Sequence, residues 1–261
     1  MSERADGLVL DIAGDGPPLL LVHAGIADRT MWDPVWEELA GRFRVIRFDQ
    51  RGFGESEDPT AAWHPHEDVA TVIAAAGAER AMVIGASMGG SAALELALER
   101  PELVDRLVTV CSSPDGLETD PSLESRFAEI DALVAAGDLD SANEREMQIW
   151  MDGTRAPGAC DPALREPIGR INRALLDRQP ALPEPFDVEP AAFYRLGGLE
   201  VPLLVVTAEY DQPSISEGSR LMADRSGSRL VEIPGAAHLP SVETPERFCE
   251  AVLPFLAGTV A

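Results

Sequence analysis

The sequence predicts an α/β protein, a mostly parallel, doubly wound sheet with a helical lid insertion. Three observations lead there. Short apolar runs alternate with amphipathic stretches, the pattern of strands buried on both faces and joined by crossover helices. One apolar run passes directly into a glycine–serine turn that opens a helix. Later, roughly 90 residues carry no convincing strand, against about 2–6 for an ordinary connection.

The strands are read at Leu19–Val22, Phe43–Phe48, Ala81–Ile84, Leu107–Cys111, Leu203–Thr207 and Leu230–Ile233. Runs this short and this apolar suit a parallel sheet covered on both faces. Helices are expected over Asp33–Leu39, over Asp68–Ala76 with Gly77 as its stop, and over Met88–Glu99, where Pro101 prevents continuation. A last helix spans Pro245–Leu256, with Thr244 as N-cap and Pro245 in the first helical position. The strand-free region holds three more, Ser122–Ala136, Ser141–Met151 and Asp161–Leu176. A connector rich in proline (Pro180, Pro183, Pro185, Pro190) follows. The expected organisation is a core of residues 1–113 and 198–261 interrupted by a helical cap over 114–197.

The 261 residues suffice for one sizeable core. The net charge is −24, from 21 basic and 45 acidic residues, and every basic residue is arginine. The absence of lysine removes Schiff-base chemistry and any lysine-dependent phosphate loop. The acidic balance disfavours nucleic acid and anionic membranes as partners. No apolar run reaches the ~18 residues of a membrane span. Met1–Asp11 lacks a basic start followed by an apolar stretch, so a cytoplasmic protein is expected. Cys111, Cys160 and Cys249 are odd in number and widely spaced, which speaks for reduced thiols packed as small apolar groups.

The chemistry concentrates in Gly85-Ala86-Ser87-Met88-Gly89-Gly90, which follows a strand and opens a helix. In that context the motif reads as a nucleophile elbow, with Ser87 lifted from the sheet edge and the Met88 amide aimed where an oxyanion forms. A serine hydroxyl needs a base. Of four histidines, His238 lies in a loop between the last strand and the last helix, at the carboxyl end of the sheet. The base needs an acid to orient it. Asp211 follows the strand Leu203–Thr207 at the same sheet end; Glu209 is the rival, and Asp211 could instead cap a helix near Pro213. His64 and His66, on a polar loop without a third ligand, read as solvated, so no metal site is assigned.

With Ser87, Asp211 and His238 in this order, the chain resembles the α/β-hydrolase family from end to end. Leu21-Val22-His23-Ala24-Gly25 resembles that family's oxyanion turn, with Ala24 where glycine is usual, and Asp49-Gln50-Arg51-Gly52-Phe53-Gly54-Glu55-Ser56 resembles its DxRGxGxS turn. The resemblance implies an oxyanion hole from the Gly25 and Met88 amides, with Ile26 as another candidate donor. It makes His23 a packing residue, and Asp49 and Arg51 loop organisers, paired with each other. A serine at the elbow disfavours the dehalogenases and epoxide hydrolases of this family, which use aspartate there. The stretch Glu144–Gly153 resembles lids of small bacterial enol-lactonases and carboxylesterases.

The expected activity is hydrolysis of an ester or lactone of a small, largely apolar substrate through an acyl-enzyme, without a cofactor. A carbon–carbon bond hydrolase, a cofactor-free perhydrolase and a slow small-molecule receptor are the alternatives. Phe127, Ile130, Met147, Trp150, Met151 and Phe186 are candidate pocket residues. A homo-oligomer is left open.

Overall fold

A computed structural model describes residues 3–118 and 120–258. Its strands are β1 Glu3–Ala5, β2 Leu8–Ala13, β3 Pro18–Val22, β4 Arg44–Phe48, β5 Ala81–Ala86, β6 Val104–Val110, β7 Leu203–Ala208 and β8 Arg229–Ile233. They form one sheet in the order β1-β2-β4-β3-β5-β6-β7-β8. All pairs from β4 to β8 are parallel, while β2 runs antiparallel to both β4 and β1.

Two of these strands escape the sequence reading, which finds six. β1 and β2 are joined by Asp6-Gly7 at φ 50° and 80°, with Ala5 paired to Leu8. An Asp-Gly pair with both φ positive is the preferred two-residue hairpin connection. β1 is too short and exposed to register as an apolar run.

The alternation along each strand divides the core. Leu19 and Leu21 of β3 face a cluster that includes Val35 and Leu39 of α1 (Asp33–Ala40). Leu20 and Val22 face the opposite cluster, with Val69 and Ile73 of α2 (Pro65–Ala75) and Leu96 of α3 (Met88–Glu99). α2 begins three residues before the expected Asp68, so His66 is a buried helical residue rather than a solvated loop histidine.

Between β6 and β7 the regular elements among the described residues are helical and include α4 (Pro121–Ala135), α5 (Leu139–Met147), α6 (Pro162–Arg178) and the short α7 (Ala192–Arg195). Asp120 caps α4 by accepting from the Ser122 and Leu123 amides, and Asp138 caps α5. α5 does not run on to Met151 as expected: from Gln148 to Asp152 the chain makes a π-helical turn. Leu123, Ile130, Ala142, Ile149 and Leu176 form a small core within these helices. The chain closes with α8 (Pro213–Ser226), α9 (Pro240–Glu243) and α10 (Pro245–Leu256). Thr244 stands at the N-cap of α10, but its hydroxyl donates back to Pro240 O at 3.3 Å instead of capping. Among the described residues, no helix is long and apolar enough to cross a membrane.

Asp49 and Arg51 organise their loop separately, not as a pair. Asp49 is fully buried, ion-paired with Arg29, and accepts from the Arg29 and Glu55 backbone amides at 2.9 and 2.8 Å. Arg51 pairs instead with Asp68 at 2.8 Å and with Asp6 at 2.6 Å. Removing one partner of a buried ion pair strands the other. Asp49→Ala is therefore expected to lower the unfolding free energy by about 3 kcal/mol, read from urea denaturation. An unchanged midpoint and slope would show that Asp11 and Glu55 suffice to hold Arg29.

Candidate active site

β5 lies mid-sheet between β3 and β6 and passes straight into α3. Ser87, at the junction, has φ 52° and ψ −119°, a conformation that costs a non-glycine residue energy and persists only when its surroundings enforce it. The enforcement is visible. A Cβ on Gly85 would lie 2.3 Å from Gly89 O, and one on Gly89 would lie 2.5 Å from the Val22 and His23 oxygens, so only glycine permits this approach. The Ser87 N–H donates to Val110 O at 2.8 Å, and Ser87 O accepts from the Gly90 amide at 2.8 Å and from Ser112 Oγ at 2.9 Å. With the backbone pinned on both sides, the side chain is presented at the carboxyl edge of the sheet.

Asp211 and His238 follow β7 and β8 at this same edge. His238 Nδ1 lies 2.8 Å from Asp211 Oδ1, and both side chains are buried. The same oxygen accepts the Gln212 amide at 2.8 Å. Asp211 is therefore not a helix cap; Gln212 occupies the N-cap position of α8. The rival Glu209 is exposed and accepts from the Gly235 amide at 2.8 Å. Among the described residues the Ser87 hydroxyl makes no hydrogen bond to His238. The link between them runs through the end of β6: Ser87 bonds Val110, and the Sγ of the next residue, Cys111, lies within 4.8 Å of the ligand atoms of Asp211 and His238. In hydrolases the hydrogen bond between such a serine and histidine is often long or poorly aligned until substrate binds.

Gly25 and Met88 are neighbours: a Cβ on Gly25 would touch Met88 Sδ at 3.5 Å and Cβ at 3.7 Å. Met88 opens α3, so its amide belongs to the first helical turn, whose N–H groups have no intrahelical acceptor and carry the positive end of the helix dipole. His23 packs beneath. Its Nδ1 lies 2.8 Å from Ala24 O, its Nε2 accepts the Gln50 amide at 3.0 Å, and its ring meets Phe53 edge-on. Burial, opposed by the Ala24 carbonyl, holds its pKa below the ordinary histidine value, so His23 is a neutral structural group.

Four neighbours of the site lie outside the three residues assigned from sequence, and of these only Trp150 is among the candidate pocket residues. Cys111 stands at φ 48° behind the Asp211–His238 pair; burial and then the Asp211 charge push its thiol well above the usual range, so it remains protonated. Cys111, Asp211 and His238 are the one three-ligand cluster among the described residues. His238 Nδ1 is already committed to Asp211. The Trp150 ring lies 4.2 Å from the His238 ring. Gln212 Nε2 donates to Ile149 O at 2.6 Å. Glu243 accepts the Ala237 amide at 2.8 Å; burial raises its pKa against the opposing pull of Arg155. Of the candidate pocket residues, Ile130, Met147 and Met151 are core, Phe127 lies against Trp150 with the rings tilted at 6.0 Å, and Phe186 is exposed beside His64.

A cavity of about 290 Å³ opens beside Met88, lined by Phe53, Trp63, Leu182 and Pro183 together with Gln50, Arg51, Asp68 and Glu184. A larger groove of about 830 Å³, between residues 113–123 and α8, includes none of the site residues.

A strained strand–turn–helix elbow at mid-sheet, with a carboxylate–imidazole pair in the loops after β7 and β8, fits a hydrolase of the α/β class. The model of the alpha/beta hydrolase family matches residues 19–251, and the chain belongs to that family. It is 30% identical to "Putative carbamate hydrolase RutD" of Caulobacter sp. (strain K31), covering 100% of this chain and 99% of that one. It is 28% identical to the pimeloyl-[acyl-carrier protein] methyl ester esterase of Aeromonas hydrophila, covering 93% and 96%. Among solved structures, a thermophilic esterase from Thermogutta terrifontis matches with a TM-score of 0.77 at 26% identity, over 100% of this chain and 99% of that one.

Proposed function

We propose that this protein is a serine hydrolase cleaving an ester or lactone of a small, largely apolar substrate through an acyl-enzyme. One observation carries the reading: a buried Asp211–His238 pair at 2.8 Å stands at the sheet edge where a strained Ser87 is presented. His238 Nε2 takes the Ser87 proton as Oγ attacks the carbonyl carbon. Asp211 holds the proton on Nδ1 and stabilises the imidazolium. The Gly25 and Met88 amides receive the oxyanion, each such donor being worth about 10²–10³ in rate. His238 then protonates the leaving group and later activates the water that releases the acid. No step needs a cofactor.

The cavity beside Met88 supports a small acyl or lactone substrate: its walls are largely apolar and its volume is about 290 Å³. The named activities of the esterase relatives agree with this chemistry. The helical segment between β6 and β7 serves as the lid of the site, and Trp150 is the residue it places against the base.

The test is to treat the protein with a fluorophosphonate, map the adduct by mass spectrometry, and assay activated esters of rising chain length beside simple lactones. Labelling at Ser87 with fastest turnover of short acyl esters or lactones is expected. Labelling elsewhere rejects the nucleophile. Turnover of vinylogous diketones without esters moves the reading to carbon–carbon hydrolysis, and Ser87 labelling with stoichiometric, non-repeating product release moves it to a receptor.

A further inference from the structure

The last turn of a helix leaves four carbonyls without intrahelical donors. In the turn Gln148–Asp152 all four are taken by groups from beyond it. Ile149 O accepts from Gln212 Nε2 at 2.6 Å, and Trp150 O accepts the His238 backbone amide at 3.2 Å. Met151 O and Asp152 O accept from the Arg155 guanidinium at 2.5 and 2.9 Å. Next to them, the Thr154 amide donates to Tyr210 O at 2.9 Å. Gly153 sits so close that a Cβ there would lie 1.9 Å from Tyr210 O and 2.9 Å from the Ala237 side chain. One turn of the helical segment is thus fastened to the acid loop and to the base loop together.

Arg155 completes the fastening. Its Nη2 also reaches Glu243 Oε2 at 2.7 Å, and the other oxygen of Glu243 accepts the Ala237 amide at 2.8 Å. The Glu243 side chain is 4% exposed and that of Arg155 19%. Two consecutive amides of the base loop, those of Ala237 and His238, are therefore held, one by Glu243 and the next by Trp150 O, while the Trp150 ring covers the imidazole. Neither Arg155 nor Glu243 lies within the motifs around Ser87, Asp211 and His238.

We infer that Arg155 and Glu243 are positioning residues for the base: the pair ties the turn at 149–155 to the His238 loop and fixes the imidazole for proton transfer. The inference rests on His238 being the base. Small misplacements of a catalytic group are costly, so the effect falls on turnover. Arg155→Ala should lower kcat about 10- to 100-fold with KM within about twofold. Arg155→Lys should recover part of the loss, because an ammonium reaches Glu243 but cannot also fork to both carbonyls. Glu243→Gln, isosteric, keeps an acceptor for Ala237 but loses the charge facing Arg155, and kcat should fall as well. The double variant Arg155→Ala/Glu243→Gln should be no worse than the worse single one, since the two act as a unit.

Hydrolysis of p-nitrophenyl acetate, the thermal midpoint and the rate of fluorophosphonate labelling read these variants. A folded Arg155→Ala with wild-type kcat, a loss confined to KM, or additive losses in the double variant overturn the inference. So does failure of all the variants to fold, which would make the pair a stability element. Wild-type protein unlabelled at Ser87 is a separate result, rejecting the serine-hydrolase reading and this inference with it.

Discussion

Ser87→Ala is expected to abolish ester hydrolysis, with kcat reduced by about 10,000-fold or more and the thermal midpoint nearly unchanged. The two halves of that expectation have different causes. Loss of the hydroxyl removes the atom proposed to form the acyl-enzyme, and neither Asp211 nor His238 can replace it as nucleophile without a new arrangement of the site. The fold is spared because the contacts that fix residue 87 are backbone contacts: its N–H to Val110 O, and its carbonyl to Gly90 and Ser112. Alanine at φ 52° meets the same strain as serine, so nothing is added or relieved. Assaying the purified variant on an activated ester, alongside a melting curve, checks both. Substantial retained turnover in the folded variant would remove Ser87 from the nucleophile role and leave general-base hydrolysis by His238 as the reading.

The legible part of this site is the part carried by backbone constraint. Gly85 and Gly89 can be read as indispensable because the elbow leaves no space for a Cβ, and the structure places carbonyl oxygens within 2.5 Å of where each would stand. Asp211 and His238 are readable because each follows an apolar strand, and strand order in a parallel sheet sends both loops to one edge. The elements that escaped are those whose stabilisation is non-local. The π-helical turn at 148–152 looks like continuous helix in sequence; its carbonyls are instead satisfied by Gln212, His238 and Arg155, from 3 to 88 positions away. Arg155 and Glu243 are ordinary charged residues 88 positions apart, and only folding shows that they share a partly buried pair. The β1–β2 hairpin is different: Asp6-Gly7 was a local signal, masked because β1 has no apolar run of its own.

Asp211→Asn should slow turnover by about 10³- to 10⁴-fold while Glu209→Gln leaves it within about twofold. Asp211 Oδ1 serves two donors, the Gln212 amide and His238 Nδ1, while the buried Oδ2 has no hydrogen-bond partner among the described residues. An asparagine has two ways to fit. With its oxygen in the Oδ1 position, the NH₂ group occupies the Oδ2 site and two donors are buried without an acceptor. With the amide flipped, a donor faces His238 Nδ1 and imposes the tautomer protonated on Nε2, which cannot take the Ser87 proton. In either case the negative charge that stabilises the imidazolium is gone. Glu209 offers no such leverage: it is exposed, and its carboxylate serves the Gly235 amide. Steady-state kinetics on one activated ester separate the two carboxylates. A sharp fall in Glu209→Gln with near-normal Asp211→Asn would transfer the acid's role to Glu209, and would require the 209–213 loop to rearrange when substrate binds.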